Sequence, residues 1–279
     1  MGIWSVVGLE LIMYSEDTSI AEKTIIYFEE IDNNRHLALS SNGYFELVDG
    51  KVVYQDSLSD VQKRTFSAGC KVDEKFICVG TLSAELIFIS KDDRSVYKWR
   101  QMDELHGDSI IDLNTASDGS LFLSTTKGIF HITKGVNVEV FTSDDIGGIV
   151  RDALQMHDKL YLATTSGIAA SMEGADSLNS IESYSNSDTW KLGEFNSELV
   201  SDDYEEILSF DGKDFDSLLA LNKELWNFHV TKSGYIWVSY QDRIALYRKE
   251  EEGSWVLIGE HEVAGPFSVL EEDGRGTIW

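Results

Sequence analysis

Histidines are the residues of this chain best suited to act as a general base at neutral pH, because their ordinary pKa is about 6.5. The chain has six, at His36, His106, His131, His157, His229 and His261. His229 falls on a predicted strand, with no carboxylate or second histidine at a spacing that would build a catalytic pair with it. A single histidine on a strand is typical of a structural role, so the sequence predicts no catalytic residue.

Cysteines and acidic runs are the groups that could hold a metal ion. Cys70 and Cys78 flank a predicted turn, without a CxxC pair or a Cys/His cluster, so no zinc site is predicted. The runs SDDYEE (201–206) and DGKDFD (211–216) lack the alternating oxygen ligands around a glycine that a calcium loop needs. The sequence therefore predicts no metal and no cofactor. It favours two free, buried thiols over a strained cross-strand disulfide.

Aromatic side chains supply a third chemistry, because they can stack against sugar rings. Those in the second half of the chain include Trp190, Trp226, Tyr235, Trp237 and Tyr240. Trp237 is predicted in the core. Trp226 precedes a predicted inner strand and is the main candidate for ligand contact, and His229 and Tyr240 complete the predicted ligand-binding set. Packing in the core is the alternative for Trp226.

The elements that must position these residues are strands. The chain has 279 residues, 42% of them hydrophobic, with 22 glycines and a single proline. Glycine-punctuated turns between β-branched and aromatic residues are typical of an all-β chain.

The formal net charge is −26. Such a surface repels phosphate backbones and anionic lipid, so neither nucleic acid nor a membrane is expected as a partner. Cations, basic peptides or polyamines would be attracted, although solubility alone also explains an acidic surface. The first thirteen residues are fairly apolar but too short to span a bilayer, and they lack the basic start and the cleavage site of a signal peptide.

A pattern of turn, apolar strand, small polar residues, glycine and second apolar strand recurs along the chain. The first apolar residue of each copy lies at Leu37, Ile77, Leu121, Leu160, Ile236 or Ile278. The copies are about 40 residues apart, with one interval about twice as long, and such a period of strands is typical of a β-propeller. A β-sandwich or barrel with accidental similarity between hairpins is the alternative.

The repeat count predicts seven four-stranded blades. The long interval leaves 169–220 without a clear copy, so this stretch forms either a degenerate blade or an insertion in a six-bladed propeller, which is the alternative. The pair Ile3–Trp4 repeats the pair Ile278–Trp279, so one blade is predicted to draw strands from both termini. We expect a single domain over 1–279 that is a fragment of a longer protein, with the C-terminal pair frayed because both pairs compete for one place.

The closing segment FSVLEEDGRGTIW resembles the two-component regulator propeller repeat, in which an acidic residue, two variable residues and a glycine precede an apolar–Trp pair. Asp273, Gly276, Ile278 and Trp279 fit this pattern fully. The resemblance spans nearly the whole chain, strongly at its end and loosely in its middle.

The other copies depart from the repeat to different degrees. Gly234 and Trp237 fit it, with Thr231 in place of the acid, and the first internal copy keeps Asp32 but has Arg35 in place of the glycine. Further repeat positions are Trp4, Gly119 and Phe122. The acid and glycine are expected to form a tight turn and the large residue to wedge between blades, so these positions are structural.

The resemblance implies a ligand-binding sensory propeller of a bacterial histidine kinase or diguanylate cyclase. Such a module is non-catalytic, lies in the periplasm or outside the cell, and takes a small molecule or saccharide as ligand. A protein partner is the alternative to such a ligand. The alternatives are a propeller enzyme that resembles streptogramin lyases and a propeller scaffold that binds protein.

Overall fold

The computed structural model describes strands through most of the chain. It covers residues 4–7, 10–13, 24–32, 34–41, 43–49, 51–56, 65–101, 108–116, 118–133, 136–157, 159–172, 179–180, 188–263, 265, 269–273 and 275–279. These residues form strands, turns and one short helix, α1 (Ser143–Ile146). The predicted all-β class is confirmed.

The strands form antiparallel sheets of consecutive strands. The first pair is β1 (Trp4–Val7) with β2 (Glu10–Met13). The first two four-stranded sheets are β3 (Ile25–Asp32), β4 (Arg35–Ser40), β5 (Gly43–Val48) and β6 (Lys51–Asp56), and then β7 (Phe66–Lys71), β8 (Phe76–Thr81), β9 (Glu85–Ser90) and β10 (Val96–Gln101). The next two are β11 (Ile110–Thr115), β12 (Leu121–Thr125), β13 (Gly128–Thr133) and β14 (Val136–Thr142), and then β15 (Val150–Met156), β16 (Lys159–Thr164), β17 (Gly167–Met172) and β18 (Asn179–Ser180). The last two are β19 (Leu192–Phe195), β20 (Glu198–Asp203), β21 (Glu206–Phe210) and β22 (Phe215–Ala220), and then β23 (Asn227–Val230), β24 (Tyr235–Ser239), β25 (Arg243–Lys249) and β26 (Trp255–Glu262).

The chain divides into two compact units. Unit 1 comprises residues 1–62, 193–212 and 216–279, and unit 2 comprises residues 63–192 and 213–215. Unit 2 holds the sheets β7–β10, β11–β14 and β15–β18. Unit 1 holds the remaining sheets, apart from the terminal residues Leu192 and Phe215 of β19 and β22.

Each four-stranded sheet is a meander in which neighbouring strands are consecutive in sequence, and this is the blade of a β-propeller. The predicted β-propeller is confirmed, but the prediction of seven four-stranded blades is wrong, because the described residues form six. The seventh required strands of both termini in one sheet. Where the structure describes these segments, β1 pairs with β2 and Glu272 bridges Ile278.

The stretch 169–220, which carries no clear repeat, contains the complete sheet β19–β22 as well as the end of the sheet before it. It is therefore a blade and not an insertion. Its second strand, ELVSDD, ends in acidic residues where the other copies have small polar ones, and this hid the pattern.

The turns of the repeat explain its glycines. The amide of Gly276 donates to the carbonyl of Asp273 (3.1 Å), and the amide of Gly234 donates to the carbonyl of Thr231 (2.9 Å). Both glycines have a φ close to +80°, as does Gly119, and side chains disfavour this conformation. The predicted turn is present even in the copy whose acid is replaced by threonine.

The large residue after the turn packs against residues that come later in its own unit, as Trp237 and Phe122 show. Trp237 is 4% exposed and lies in one cluster with Leu270 and Ile278. Phe122 lies in one cluster with Val150 at the start of β15. The wedge role predicted for these positions agrees with their burial, while the side chain of Trp4 falls outside the described residues.

The expectation that Ile278–Trp279 is frayed is wrong. Trp279 is 9% exposed and stacks on Phe28, with ring centroids 5.0 Å apart. Its Nε1 donates to Asp273 Oδ2 (2.9 Å), and its backbone exchanges two hydrogen bonds with Glu271 (2.8 and 3.0 Å). Local pairing and one buried hydrogen bond therefore hold the pair in place.

The two cysteines lie directly opposite each other on β7 and β8 of unit 2. Both are buried and free, in agreement with the favoured interpretation of the sequence. Burial raises the pKa of the Cys78 thiol well above its ordinary value, and the neighbouring Cys70 adds to this effect.

We predict that Trp237→Ala lowers the free energy of unfolding by about 3–5 kcal/mol, because it removes a buried aromatic side chain from a packed cluster. Denaturant unfolding measures the change. Trp226→Ala is the matched control, since Trp226 is 57% exposed, and its effect should stay below about 1 kcal/mol. Equal effects of the two substitutions would contradict the wedge role.

Candidate functional site

Trp226, the main ligand-contact candidate, is exposed in the loop before β23 of unit 1. Tyr204, in the β20–β21 turn, lies beside this loop, because its carbonyl accepts a hydrogen bond from the amide of Leu225 (2.8 Å). The side chain of Tyr204 is 40% exposed. Two exposed aromatic residues thus come from neighbouring backbone segments of unit 1, and we call Tyr204 and Trp226 the aromatic pair.

His229 and Tyr240 have surroundings that differ from those of Trp226. His229 is partly buried on β23, with its Nε2 3.9 Å from Glu272 Oε2. Tyr240 is buried, and its hydroxyl shares a hydrogen bond with that of Tyr247 (2.9 Å). Burial, with a contribution from Tyr247, raises the pKa of Tyr240. Trp226 is the most exposed of the three, and the ligand-binding role of all three stays a prediction.

A polar cluster in unit 2 has no counterpart in the sequence predictions. Asn114 Nδ2 donates to Asp112 Oδ2 (2.5 Å) and, more weakly, to Asp152 Oδ1 (3.4 Å). Lys191 Nζ lies 3.3 Å from Asp152 Oδ2, which also accepts a hydrogen bond from the amide of Leu192 (2.9 Å). We call Asp112, Asn114, Asp152 and Lys191 the polar cluster.

The two aspartates occupy equivalent places on the first strands of adjacent sheets. In four sheets the first strand has a register shift after its first residue, and the residue that follows the shift is Tyr27, Ala68, Asp112 or Asp152. The same backbone position therefore accepts an aromatic or a methyl side chain elsewhere. The fold does not require a carboxylate there, so the acidic pair is a specific feature of β11 and β15.

The carboxyl of Asp112 has an unusual pKa. Burial, and after it the charge of Asp152, raises the pKa of Asp112 to about 7, although Lys191 and hydrogen bonds from the backbone of Leu113 and the side chain of Asn114 act in the opposite direction. Near neutral pH the Asp112 carboxyl is therefore partly protonated. It can both donate and accept a hydrogen bond, and its titration belongs to the pair with Asp152.

An exposed aromatic residue borders the polar cluster along the chain. The guanidinium carbon of Arg151 lies 3.5 Å from the ring centroid of Trp190, and the same guanidinium makes two hydrogen bonds to Asp188 (2.9 and 3.0 Å). Trp190, one of the aromatics noted in the sequence, is 49% exposed. The ion pair and the cation–π contact hold this indole beside the residues that lead into β19.

The sequence did contain a signal for the polar cluster. Asp112 and Asp152 are one repeat apart, at the period of about 40 that identifies the propeller. A repeat position that changes from apolar to acidic in two successive copies indicates a candidate polar site. This change can be recognised only when the strand register is known. Lys191 and Asn114 carry no such signal.

No family model matches the sequence. No curated protein matches it either. The comparison with solved structures, in contrast, identifies the fold. The "extracellular domain of the putative hybrid two component system BT4673 from B. thetaiotaomicron" has a TM-score of 0.74 at 12% identity, covering 93% of this chain and 37% of that one. The chain thus spans less than two fifths of that domain.

Propellers of other kinds are also similar. The WD40 β-propeller domain of Doa1 has a TM-score of 0.70 at 12% identity, over 92% of this chain and 89% of that one. Virginiamycin B lyase from Staphylococcus aureus has a TM-score of 0.67 at 10% identity, over 85% and 84%. At these identities the likeness defines the fold, which matches that of two-component regulator propellers.

Among the described residues, no helix has the length and apolar character needed to cross a membrane.

We predict that Asp112 makes the protein less stable as the pH rises. Its pKa in the folded state, about 7, lies above the ordinary value of about 4. The stability that its protonated form provides is therefore complete below about pH 4 and is lost as the pH rises towards 7, at up to about 1.4 kcal/mol per pH unit. Asp112→Asn should flatten the pH dependence of the free energy of unfolding over this range.

The matched control for this measurement is Asp216→Asn, at an exposed position of β22. It should leave the pH dependence of the wild type unchanged. Denaturant unfolding from pH 4 to 8 provides the comparison, and identical profiles for wild type and Asp112→Asn would contradict the raised pKa.

Proposed function

We propose that the chain is a ligand-binding sensory module of a bacterial signal-transduction protein, without catalysis of its own. The observation that carries this proposal is the acidic pair Asp112–Asp152, at a strand position where packing alone does not require a carboxylate. A ligand-binding module needs a few convergent polar groups on a rigid scaffold. First strands of adjacent sheets provide such a scaffold.

The ligand that suits the polar cluster is a small neutral polyol, and we propose a saccharide. Carboxylates accept hydrogen bonds from sugar hydroxyls, while Lys191 and a protonated Asp112 donate to them. The net charge of −26 disfavours an anionic ligand. Trp190 precedes Lys191 in the chain and is 49% exposed, and the face of its ring opposite Arg151 offers an apolar surface for the less polar face of a sugar.

The aromatic pair is the second surface that we propose for ligand contact. Trp226 is exposed, so packing in the core does not explain a tryptophan at this position, and the neighbouring Tyr204 is also exposed. His229 and Tyr240 belong to the same proposal, with His229 beside Glu272 and Tyr240 as a buried support. Variants at each surface distinguish which unit binds the ligand.

The similarity of fold to the extracellular domain of a two-component system supports a position in the periplasm or outside the cell. It also supports an output domain in a separate part of a longer protein. Nucleic acid and membrane lipid are not proposed as partners, because of the acidic charge.

A lyase-like enzyme is the second candidate function. The similarity to virginiamycin B lyase favours it, and the approach of His229 Nε2 to Glu272 Oε2 places a possible base beside a carboxylate. Incubation of the protein with virginiamycin B and Mg²⁺ tests it directly. Turnover that is lost in His229→Ala would replace the sensor proposal, whereas an intact substrate supports the sensor proposal.

A scaffold that binds protein is the third candidate, and no contact in the described residues favours it.

Screening a panel of neutral oligosaccharides, followed by isothermal titration, tests the sensor proposal. We expect Lys191→Met and Asp112→Ala to weaken binding of any hit at least tenfold, because each removes a hydrogen-bond partner from the polar cluster. Lys213→Met is the matched control at an exposed lysine and should bind like the wild type. Trp226→Ala reports on the aromatic pair.

Loss of binding in Trp226→Ala alone would move the site to unit 1, and loss in the cluster variants alone would keep it in unit 2. Binding that survives all of these substitutions, or a panel without any hit, would overturn the proposal of a saccharide at these surfaces.

A further inference from the structure

Three potential metal ligands meet in unit 1. One ligand atom each of Glu30, His36 and Asp273 lies within 4.8 Å of the other two. Glu30 and His36 are directly opposite each other on β3 and β4, and Asp273 comes from the C-terminal turn. Sequence spacing predicted no metal site, because these residues come from opposite ends of the chain.

His36 is the unusual member of this group. It is 1% exposed and packs against the rings of Phe28 (centroids 5.2 Å apart) and Trp279 (4.3 Å), which also stack on each other. Neither ring nitrogen has a hydrogen-bond partner among the described residues. Nε2 is 3.7 Å from Asp273 Oδ2, which is too far for a hydrogen bond. A buried imidazole in this state is rare, since buried polar groups are almost always satisfied.

Asp273 is held so that one oxygen faces His36. Its Oδ1 accepts hydrogen bonds from the amides of Arg275 (2.8 Å) and Thr277 (2.9 Å). Its Oδ2 accepts one from Trp279 Nε1 (2.9 Å) and keeps a lone pair for a further contact. The carboxylate is therefore fixed in position, as a ligand supported by surrounding hydrogen bonds would be.

We propose that Glu30, His36 and Asp273 bind a divalent transition-metal ion of the Zn²⁺ type. One imidazole nitrogen and two carboxylate oxygens suit such an ion, whereas Ca²⁺ and Mg²⁺ favour oxygen ligands alone. Ligand bonds of about 2.1 Å allow two ligand atoms to lie up to about 4.2 Å apart, and the His36–Asp273 separation of 3.7 Å fits. Rotation of the long Glu30 side chain brings in the third ligand.

The charges around the group are compatible with a cation. Two carboxylates face His36. The guanidinium of Arg275 donates to Asn34 Oδ1 (Nη1, 3.2 Å), and its single positive charge, which also acts on His36 and Asp273, is smaller than the charge of the two carboxylates. The bound ion would join the β3–β4 hairpin to the C-terminal turn, which is far from it in sequence. It would therefore stabilise the fold, and the proposal is independent of ligand binding at the polar cluster.

Zinc titration of the full chain after chelator treatment tests the proposal. We expect one Zn²⁺ per chain by isothermal titration and a higher melting temperature in its presence. Glu30→Gln and His36→Gln should each weaken binding at least tenfold, and Glu30→Gln keeps the test valid if His36→Gln fails to fold. Co²⁺ in place of Zn²⁺ should give visible absorption bands that change in Glu30→Gln.

His157→Asn is the matched control, because it removes an exposed histidine from a turn with a left-handed backbone that asparagine tolerates. It should bind Zn²⁺ like the wild type. The proposal is overturned if no stoichiometric binding occurs, if Glu30→Gln and His36→Gln bind as tightly as the wild type, or if His157→Asn loses binding to the same degree. Equal affinity for Ca²⁺ would also overturn it.

Discussion

The constraint on which this structure depends is that a four-stranded sheet with two apolar faces cannot bury both of them by itself. The second strands show the problem most clearly: every residue of β12 (Leu121–Thr125) is buried, so neither face of this strand meets water. Each sheet must pack between others. A large side chain that follows a fixed turn provides the contact, as Trp237 does towards Leu270 and Ile278.

Asp273 shows how one side chain couples the turn to the packing. One of its oxygens fixes the turn by accepting two backbone amides, and the other accepts the indole N–H of Trp279. The carboxylate thus determines both the path of the chain and the orientation of the wedge. In the other repeat with a Trp wedge, Thr231 Oγ1 accepts a hydrogen bond from the amide of Tyr235. The short threonine side chain makes only such local hydrogen bonds, so it fixes the turn but does not orient the tryptophan.

The repeat made the fold predictable, because turns and wedges depend on local sequence. Gly234, Gly276 and Trp237 could be assigned from spacing, and their conformations and burial agree with that assignment. The number of blades was not predictable in the same way. It depends on which strands pair across the ends of the chain, and local sequence does not encode that pairing.

The candidate sites were less accessible to sequence than the fold. Trp226 was found because a large aromatic residue before an inner strand is conspicuous, but its neighbour Tyr204 comes from a different hairpin. Asp112 and Asp152 become a pair only through the register of β11 and β15. His36 and Asp273 meet only when the two ends of the chain lie in one unit. Such groups arise from long-range contacts, and only the structure brings them together.

The opposed cysteines of unit 2 can report local opening of their sheet. Cys78 is fully buried and Cys70 nearly so, so a thiol reagent or oxidant reaches them only after β7 and β8 separate. When the strands reclose faster than the thiol reacts, the labelling rate is the intrinsic reactivity of the sulfur multiplied by the equilibrium constant of that opening. The rate of thiol labelling therefore reports the equilibrium for separation of β7 and β8, without any change to the sequence.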